Sequence, residues 1–176
     1  MKRLIAAATL LAIMPALALA QNADHQYRGQ GYAFFGLGTP TSTGHRFYHP
    51  AVEHIGFGGE GFLVKGFGIG VEVGWAYWGG GVEGQAWTAS GDVSYHFRRS
   101  APRGRVDPFV LVGITGYFPT SHGARGAPAG NFGGGVNIWL RERAALRLEV
   151  RDHVSDNGRF GPGNHYLSLR VGVTFR

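Results

Sequence analysis

Seven charged residues stand apart from one another in otherwise small or apolar surroundings: Glu60, Glu72, Asp92, Arg147, Glu149, Arg151 and Arg170. Four carboxylates and three guanidiniums could pair, because the planar guanidinium fork matches a carboxylate. If they share a dry interior they must pair, since an isolated buried charge is costly. The alternative chemistry is a path for protons or small solutes along the same groups. A second candidate is His153-Val154-Ser155-Asp156-Asn157. A histidine and a serine two residues apart share one face of a strand and could act as base and nucleophile, given an acid to orient the histidine. Asp156 is adjacent to the serine, and no Asp or Glu follows it. The segment is therefore read as the polar start of a loop, with no catalytic residue assigned and His153/Ser155 kept as the enzymatic alternative.

The elements that must position these charges are strands. In 164–176, Leu167, Leu169, Val171, Val173 and Phe175 fall on one face, and Ser168, Arg170, Gly172 and Thr174 on the other. That is the period-two pattern of a strand with one apolar side. Leu146, Leu148 and Val150 alternate with Arg147, Glu149 and Arg151 in the same way. Eight such strands are predicted: 31–37, 54–63, 67–78, 85–97, 106–118, 130–140, 144–153 and 164–176. The faces of the fifth are the least distinct, with Gly113 and Thr115 marking its small side. Short turns fall at 64–66 and 141–143 and a basic turn at 98–105. Loops are expected at 38–53, 119–129 and 154–163. No helix is expected beyond the N-terminus, and the alternation of short and long connections predicts an all-β, eight-stranded antiparallel up-and-down barrel spanning a membrane over residues 30–176.

The N-terminus has Lys2 and Arg3, an apolar run from Leu4 to Leu17, and Ala18-Leu19-Ala20 before Gln21. This predicts a secretory signal cleaved after residue 20, followed by a polar lead-in over 21–29. The apolar run is shorter than the roughly 20 residues of a spanning helix. No cysteine is present, so no disulfide can hold the exported fold. The 31 glycines have no collagen period, charged residues are 16% against a typical ~25%, and lysine occurs only at Lys2 and Lys65. A soluble protein covers itself with lysine and glutamate, and this chain has little of either.

The same alternation fits a soluble barrel with its apolar face inside, or a membrane barrel with its apolar face in lipid. Three features favour the membrane. The non-apolar face is mostly Gly, Ala, Ser and Thr, which suits the narrow interior of eight strands. Aromatics gather near strand ends, with Phe67, Tyr95, Phe97, Trp139 and Phe175 toward the short turns and Trp75, Tyr77, Trp87, Tyr117, Phe118 and Tyr166 toward the loops. Two interfacial girdles have that distribution. Export and scarce lysine are the third. With a final strand ending Val171-Gly172-Val173-Thr174-Phe175, the chain resembles the small outer-membrane β-barrel superfamily of Gram-negative bacteria, the OmpA/OmpX-type domains. The resemblance implies outer-membrane localisation, lipid and barrel-assembly machinery as partners, and Phe175 as the assembly signal, from which the trailing Arg176 is a departure. It implies surface loops with a partner of unspecified kind, and leaves anchor, adhesin, defence protein and enzyme open. His153 and Ser155 also match in type and spacing the His-x-Ser motif of PagL-type lipid A deacylases, whose downstream Glu this chain lacks.

The main reading is a non-enzymatic anchor for surface loops with a plugged lumen; the alternatives are a lipid A-modifying esterase and a narrow small-solute channel. His45, His49, His54, His122, His153 and His165 lie in or beside expected loops without recurrent ligand spacing, so no metal or cofactor is assigned. Gly56 to Gly61 matches a dinucleotide fingerprint in letters only, because no helix follows it. Arg98, Arg99, Arg103 and Arg105 make a basic turn, and in an exported chain nucleic acid is not an expected partner.

Overall fold

In the computed structural model, which describes residues 29–41, 51–64, 66–78, 84–97, 105–120, 126–155 and 164–176, eight strands follow one another around a closed barrel. They are β1 (Gly29–Pro40), β2 (Val52–Val64), β3 (Phe67–Trp78), β4 (Gly84–His96), β5 (Val106–Pro119), β6 (Ala127–Arg141), β7 (Ala144–Ser155) and β8 (Asn164–Phe175). Each is antiparallel to its sequence neighbour, and β8 closes the sheet on β1. Closure leaves no strand edge unpaired. The expected signal and the lead-in up to residue 28 lie outside the described residues; Gly29, expected in the lead-in, belongs to β1.

The β3 strand has the expected bounds. Others run further toward the long connections: β1 reaches Pro40, β6 begins at Ala127 and β7 continues to Ser155. Proline and glycine made these positions read as loop, but ladder partners hold them as strand, with Pro40 opposite Tyr166 and Pro128 opposite Gly116. At the other end β2 and β3 meet in a tight turn whose Gly66 has φ of 95°, a backbone conformation that favours glycine.

The usual relation between burial and polarity is inverted. Val71 is 62% exposed and its neighbour Glu72 only 2%. The pattern recurs on every strand: Phe35, Phe57, Ile69, Trp87, Ile114, Phe132, Val150 and Leu169 are all exposed. The inner wall carries the polar and charged residues. In β5 the faces resolve into Val110, Val112 and Ile114 outside against Phe109, Leu111 and Thr115 inside. Monomeric soluble proteins seldom expose apolar patches beyond a few hundred Å², whereas here an apolar band circles the molecule.

The expected aromatic girdles need one correction. Trp139, Tyr117 and Tyr166 lie on the inner wall. Trp139 is 9% exposed, and Tyr117 and Tyr166 pack against the inward-facing His153. Nearness to a strand end placed them in a girdle, but period-two parity sets the face: Tyr117 shares it with Thr115, and Tyr166 with Ser168. The outward aromatics are Phe67, Tyr95, Phe97 and Phe175 at the short-turn end, and Trp75, Tyr77, Trp87 and Phe118 at the other.

Trp139 also accounts for the position of Arg176. The Arg176 guanidinium lies 3.8 Å from the centre of the Trp139 ring, and its Nε donates to the Glu142 carbonyl at 3.1 Å. The Arg176 amide donates to the Arg143 carbonyl at 3.2 Å. The last residue thus clasps the β6–β7 turn. A cation over a tryptophan contributes about 0.5–2 kcal/mol. Arg176→Ala should therefore lower the urea midpoint of the refolded barrel by an amount equivalent to about 1 kcal/mol, and Arg176→Lys by less. An unchanged midpoint for Arg176→Ala would mean the clasp contributes nothing.

Candidate functional site

The charged inner wall is assembled from glycines as much as from charges. Across the strand pairs Glu72 faces Gly58, Asp92 faces Gly113, Glu149 faces Gly135, Arg151 faces Gly133, and Arg170 faces Gly36. Gly36, Gly113 and Gly133 leave space for the charged side chain opposite, and Gly58 and Gly135 leave it for the Tyr32 and Phe109 rings on their other side. A Cβ built on Gly36 would lie 3.1 Å from Cγ of Arg170, and one on Gly135 would lie 3.0 Å from Cα of Glu149 and 2.7 Å from the Phe109 ring. The interior of an eight-stranded barrel is just wide enough to be filled by side chains, so bulk on one strand requires its absence on the next.

At mid-height three arginines and three carboxylates interlock. Arg151 reaches Glu149 at 2.7 Å, Asp92 at 3.2 Å and Glu72 at 3.4 Å. Arg170 reaches both oxygens of Glu72 at 3.0 Å and Glu149 at 3.4 Å. Arg147 holds Glu149 through Nε at 2.9 Å and Nη2 at 2.7 Å. The guanidinium faces are covered by rings: Arg147 lies over Tyr32 and Phe109, and Arg170 over Phe34. Aromatic faces attract desolvated cations, so these inward aromatics are part of the charge network and not only filler. His54 accepts from Arg170 Nη2 at its Nδ1, at 3.1 Å. Arginine can only donate, so the His54 proton sits on Nε2, 3.0 Å from Thr88 Oγ1.

Glu60 lies lower, toward the short turns. It accepts from Gln30 at 2.9 Å, from the Ser94 hydroxyl, and faces His96 Nε2 at 3.2 Å. His96 Nδ1 lies 2.8 Å from Asp107, and Asn137 links Asp107 to Thr174. The chain Gln30–Glu60–His96–Asp107–Asn137–Thr174 thus runs around the barrel through β1, β2, β4, β5, β6 and β8. Sequence reasoning missed His54, His96, Asp107, Tyr32 and Phe34 as members of the site. Counting back in twos from Thr115 along β5 would have placed Asp107 inside.

No protein-family model and no curated protein matches the chain. Solved structures do. The Neisserial surface protein NspA aligns with a TM-score of 0.64 at 11% identity, over 84% of this chain and 96% of that one. The N-terminal β-barrel domain of Pseudomonas aeruginosa OprF aligns at 0.56 and 18% identity, over 84% and 96%. This chain has the fold of the small outer-membrane β-barrels. Within that fold, the outer membrane enzyme PagL aligns with a TM-score of 0.51 at 12% identity, over 82% of this chain and 98% of that one. These likenesses concern the fold; activity has to be read from the residues.

For this small barrel the His-x-Ser segment faces inward. His153 is 2% exposed, stacks on Tyr166 with ring centres 5.4 Å apart, and neither ring nitrogen has a hydrogen-bond partner among the described residues. Ser155 donates to the Pro128 carbonyl at 3.5 Å. Base and hydroxyl are thus on one wall without being joined, and no acid among the described residues orients the histidine. Asp156 lies outside the described residues, as do His45, His49 and His122. Besides His96 with Asp107 and Glu60, a further imidazole–carboxylate pair joins His165 to Asp152, 2.7 Å apart. It lies on the outer wall, where Asp152 sits between Phe132 and Leu167. No group of His, Asp and Glu suited to a metal occurs among the described residues.

Proposed function

We propose that the protein is an integral outer-membrane barrel with a sealed lumen that anchors the connections between strands at the cell surface. The observation that carries this reading is the inversion of the walls: an apolar band on all eight strands outside, and a paired ionic layer inside. A ring of lipid fits the first. The second leaves little room for water, because Arg151 and Arg170 bridge strands across the barrel and Arg147, paired with Glu149 on its own strand, lies between the Tyr32 and Phe109 rings. The short turns then face the periplasm, and the segments joining β1 to β2, β5 to β6 and β7 to β8 face outward. Phe175, exposed on the outer wall at the end of β8, fits the role of assembly signal.

Two measurements test the proposal. The chain should fractionate with outer membranes and migrate differently on cold SDS gels before and after boiling. A chain that stays soluble in the periplasm without detergent would overturn the membrane assignment. Purified barrel in planar bilayers should be electrically silent, and steady single-channel openings would replace the sealed anchor with the narrow channel.

A further inference from the structure

Four arginines stand exposed at the short-turn end: Arg105, Arg141, Arg143 and Arg176. They are not spread around the rim. They lie at the ends of β5, β6, β7 and β8, which are consecutive in the barrel. Backbone bonds tie them into one arc: the Trp139 amide donates to the Arg105 carbonyl at 2.7 Å, and the Arg176 amide to the Arg143 carbonyl at 3.2 Å. The side chains of Arg105, Arg141 and Arg143 form no ion pair among the described residues, and Glu142 is the one exposed acidic side chain described within the arc.

Three of these arginines adjoin exposed apolar residues. Leu140 is 70% exposed and precedes Arg141, Phe175 is 51% exposed and precedes Arg176, and Val106 is 41% exposed and follows Arg105. A soluble polyanion uses the guanidiniums and leaves this apolar edge uncovered. An amphiphile uses both, with phosphate on the guanidinium forks and acyl chains along the adjoining wall.

We infer that the β5–β8 arc is a binding site for anionic glycerophospholipid in the periplasmic leaflet. The inference rests on the membrane orientation proposed above. The site positions the barrel at the level of the headgroup phosphates and selects negatively charged lipid, in the way juxtamembrane basic clusters do. Arg176 is shared between this arc and the Trp139 clasp, so the other three arginines carry the selectivity.

The test uses the full-length refolded protein in detergent, delipidated and titrated with dioleoylphosphatidylglycerol or dioleoylphosphatidylcholine, with bound lipid counted by native mass spectrometry. The two lipids share acyl chains and differ in headgroup charge. Wild type should retain phosphatidylglycerol about tenfold more strongly, and added salt should erode the preference. The triple variant Arg105→Gln/Arg141→Gln/Arg143→Gln should bind both lipids alike; should it not refold, the three single variants should each lower the preference. Glycerol phosphate and soluble peptidoglycan fragments are competitors. Displacement of lipid by either at comparable concentration would overturn a lipid site, because neither carries acyl chains. Equal retention of the two lipids by wild type, or an undiminished preference in the variants, would also overturn it. Heat-modifiable migration is recorded on every sample. A protein that folds as a membrane barrel but lacks the preference removes this inference alone, and one that does not enter membranes removes the orientation beneath it.

Discussion

Arg151→Met should be the most destabilising single substitution in the inner wall, at about 3–5 kcal/mol. Arg151 is fully buried and touches Glu149, Asp92 and Glu72. Its loss is not shared equally among them. Glu149 keeps Arg147 and Arg170, and Glu72 keeps Arg170. Among the described residues Asp92 has Arg151 as its one arginine, and its other oxygen, Oδ1, already lacks a partner. Removing the guanidinium therefore leaves one buried carboxylate uncompensated, and leaving a buried charge unpaired is what makes breaking such pairs expensive. The intact network need not add much net stability, since pairing mainly offsets desolvation. This distinction gives a second measurement. Arg151→Met/Asp92→Asn should recover most of the loss, because the orphaned charge is gone, while Arg151→Met/Glu149→Gln should recover less. The readout is urea unfolding of barrels folded into phospholipid vesicles, followed by tryptophan fluorescence. A midpoint for Arg151→Met within about 1 kcal/mol of wild type, or equal rescue by both second substitutions, would show that Asp92 is not held by Arg151.

The sequence was most informative where one strand face was uniform. Alternation of Phe67 to Tyr77 with Gly68 to Ala76 set both bounds of β3 and its faces, because a one-residue slip would turn every apolar side chain inward. The same parity put Glu72, Asp92, Arg147, Glu149, Arg151 and Arg170 on one surface, and the barrel turns that surface inward. What parity cannot supply is the partner across the lumen. Glu149 and Arg170 are register neighbours on β7 and β8, so their contact was within reach of a strand count. Arg170 with Glu72, and Arg151 with Asp92, join strands that are not adjacent in the sheet. Those contacts depend on closure and stagger, which no local pattern carries. Sequence reading also failed where it weighed position along a strand above face, as at Trp139, Tyr117 and Tyr166. It failed again where residue type suggested a loop. His54 looked like one more loop-side histidine, yet it is 1% exposed between Arg170 and Thr88.

The glycine content takes on a specific meaning in this frame. Glycines on the inner wall are the complement of the bulky inward side chains, as Gly36 is to Arg170 and Gly135 to Phe109. Composition alone signalled an unusual chain, and only the register assigns each glycine its counterpart. The narrow interior therefore demands both classes together, and the lack of bulk on one strand is what lets a guanidinium cross to the far side.

Leu169→Arg separates a lipid-covered wall from a water-covered one by the size of its effect. Leu169 lies near the middle of β8, 59% exposed, with Leu37 and Val150 beside it at 51% and 48%. If water covered this wall, replacing an exposed leucine with arginine would change stability by about 0.5 kcal/mol or less, and solubility would improve. If lipid covers it, arginine at mid-height costs about 2–4 kcal/mol, with less cost near either interface. Leu169→Ala removes apolar contact without adding charge and sets the baseline. The expected order of folding stability in phosphatidylcholine vesicles is wild type, then Leu169→Ala, then Leu169→Arg well below both. The depth dependence supplies an internal control on the same strand. Phe175, at the short-turn end of β8, should accept arginine at a much smaller cost because the guanidinium can reach the headgroups. Leu169→Arg no more costly than Leu169→Ala would take lipid away from the outer wall. A Leu169→Arg penalty matched by Phe175→Arg would show that the lost contacts, and not depth in the bilayer, set the effect.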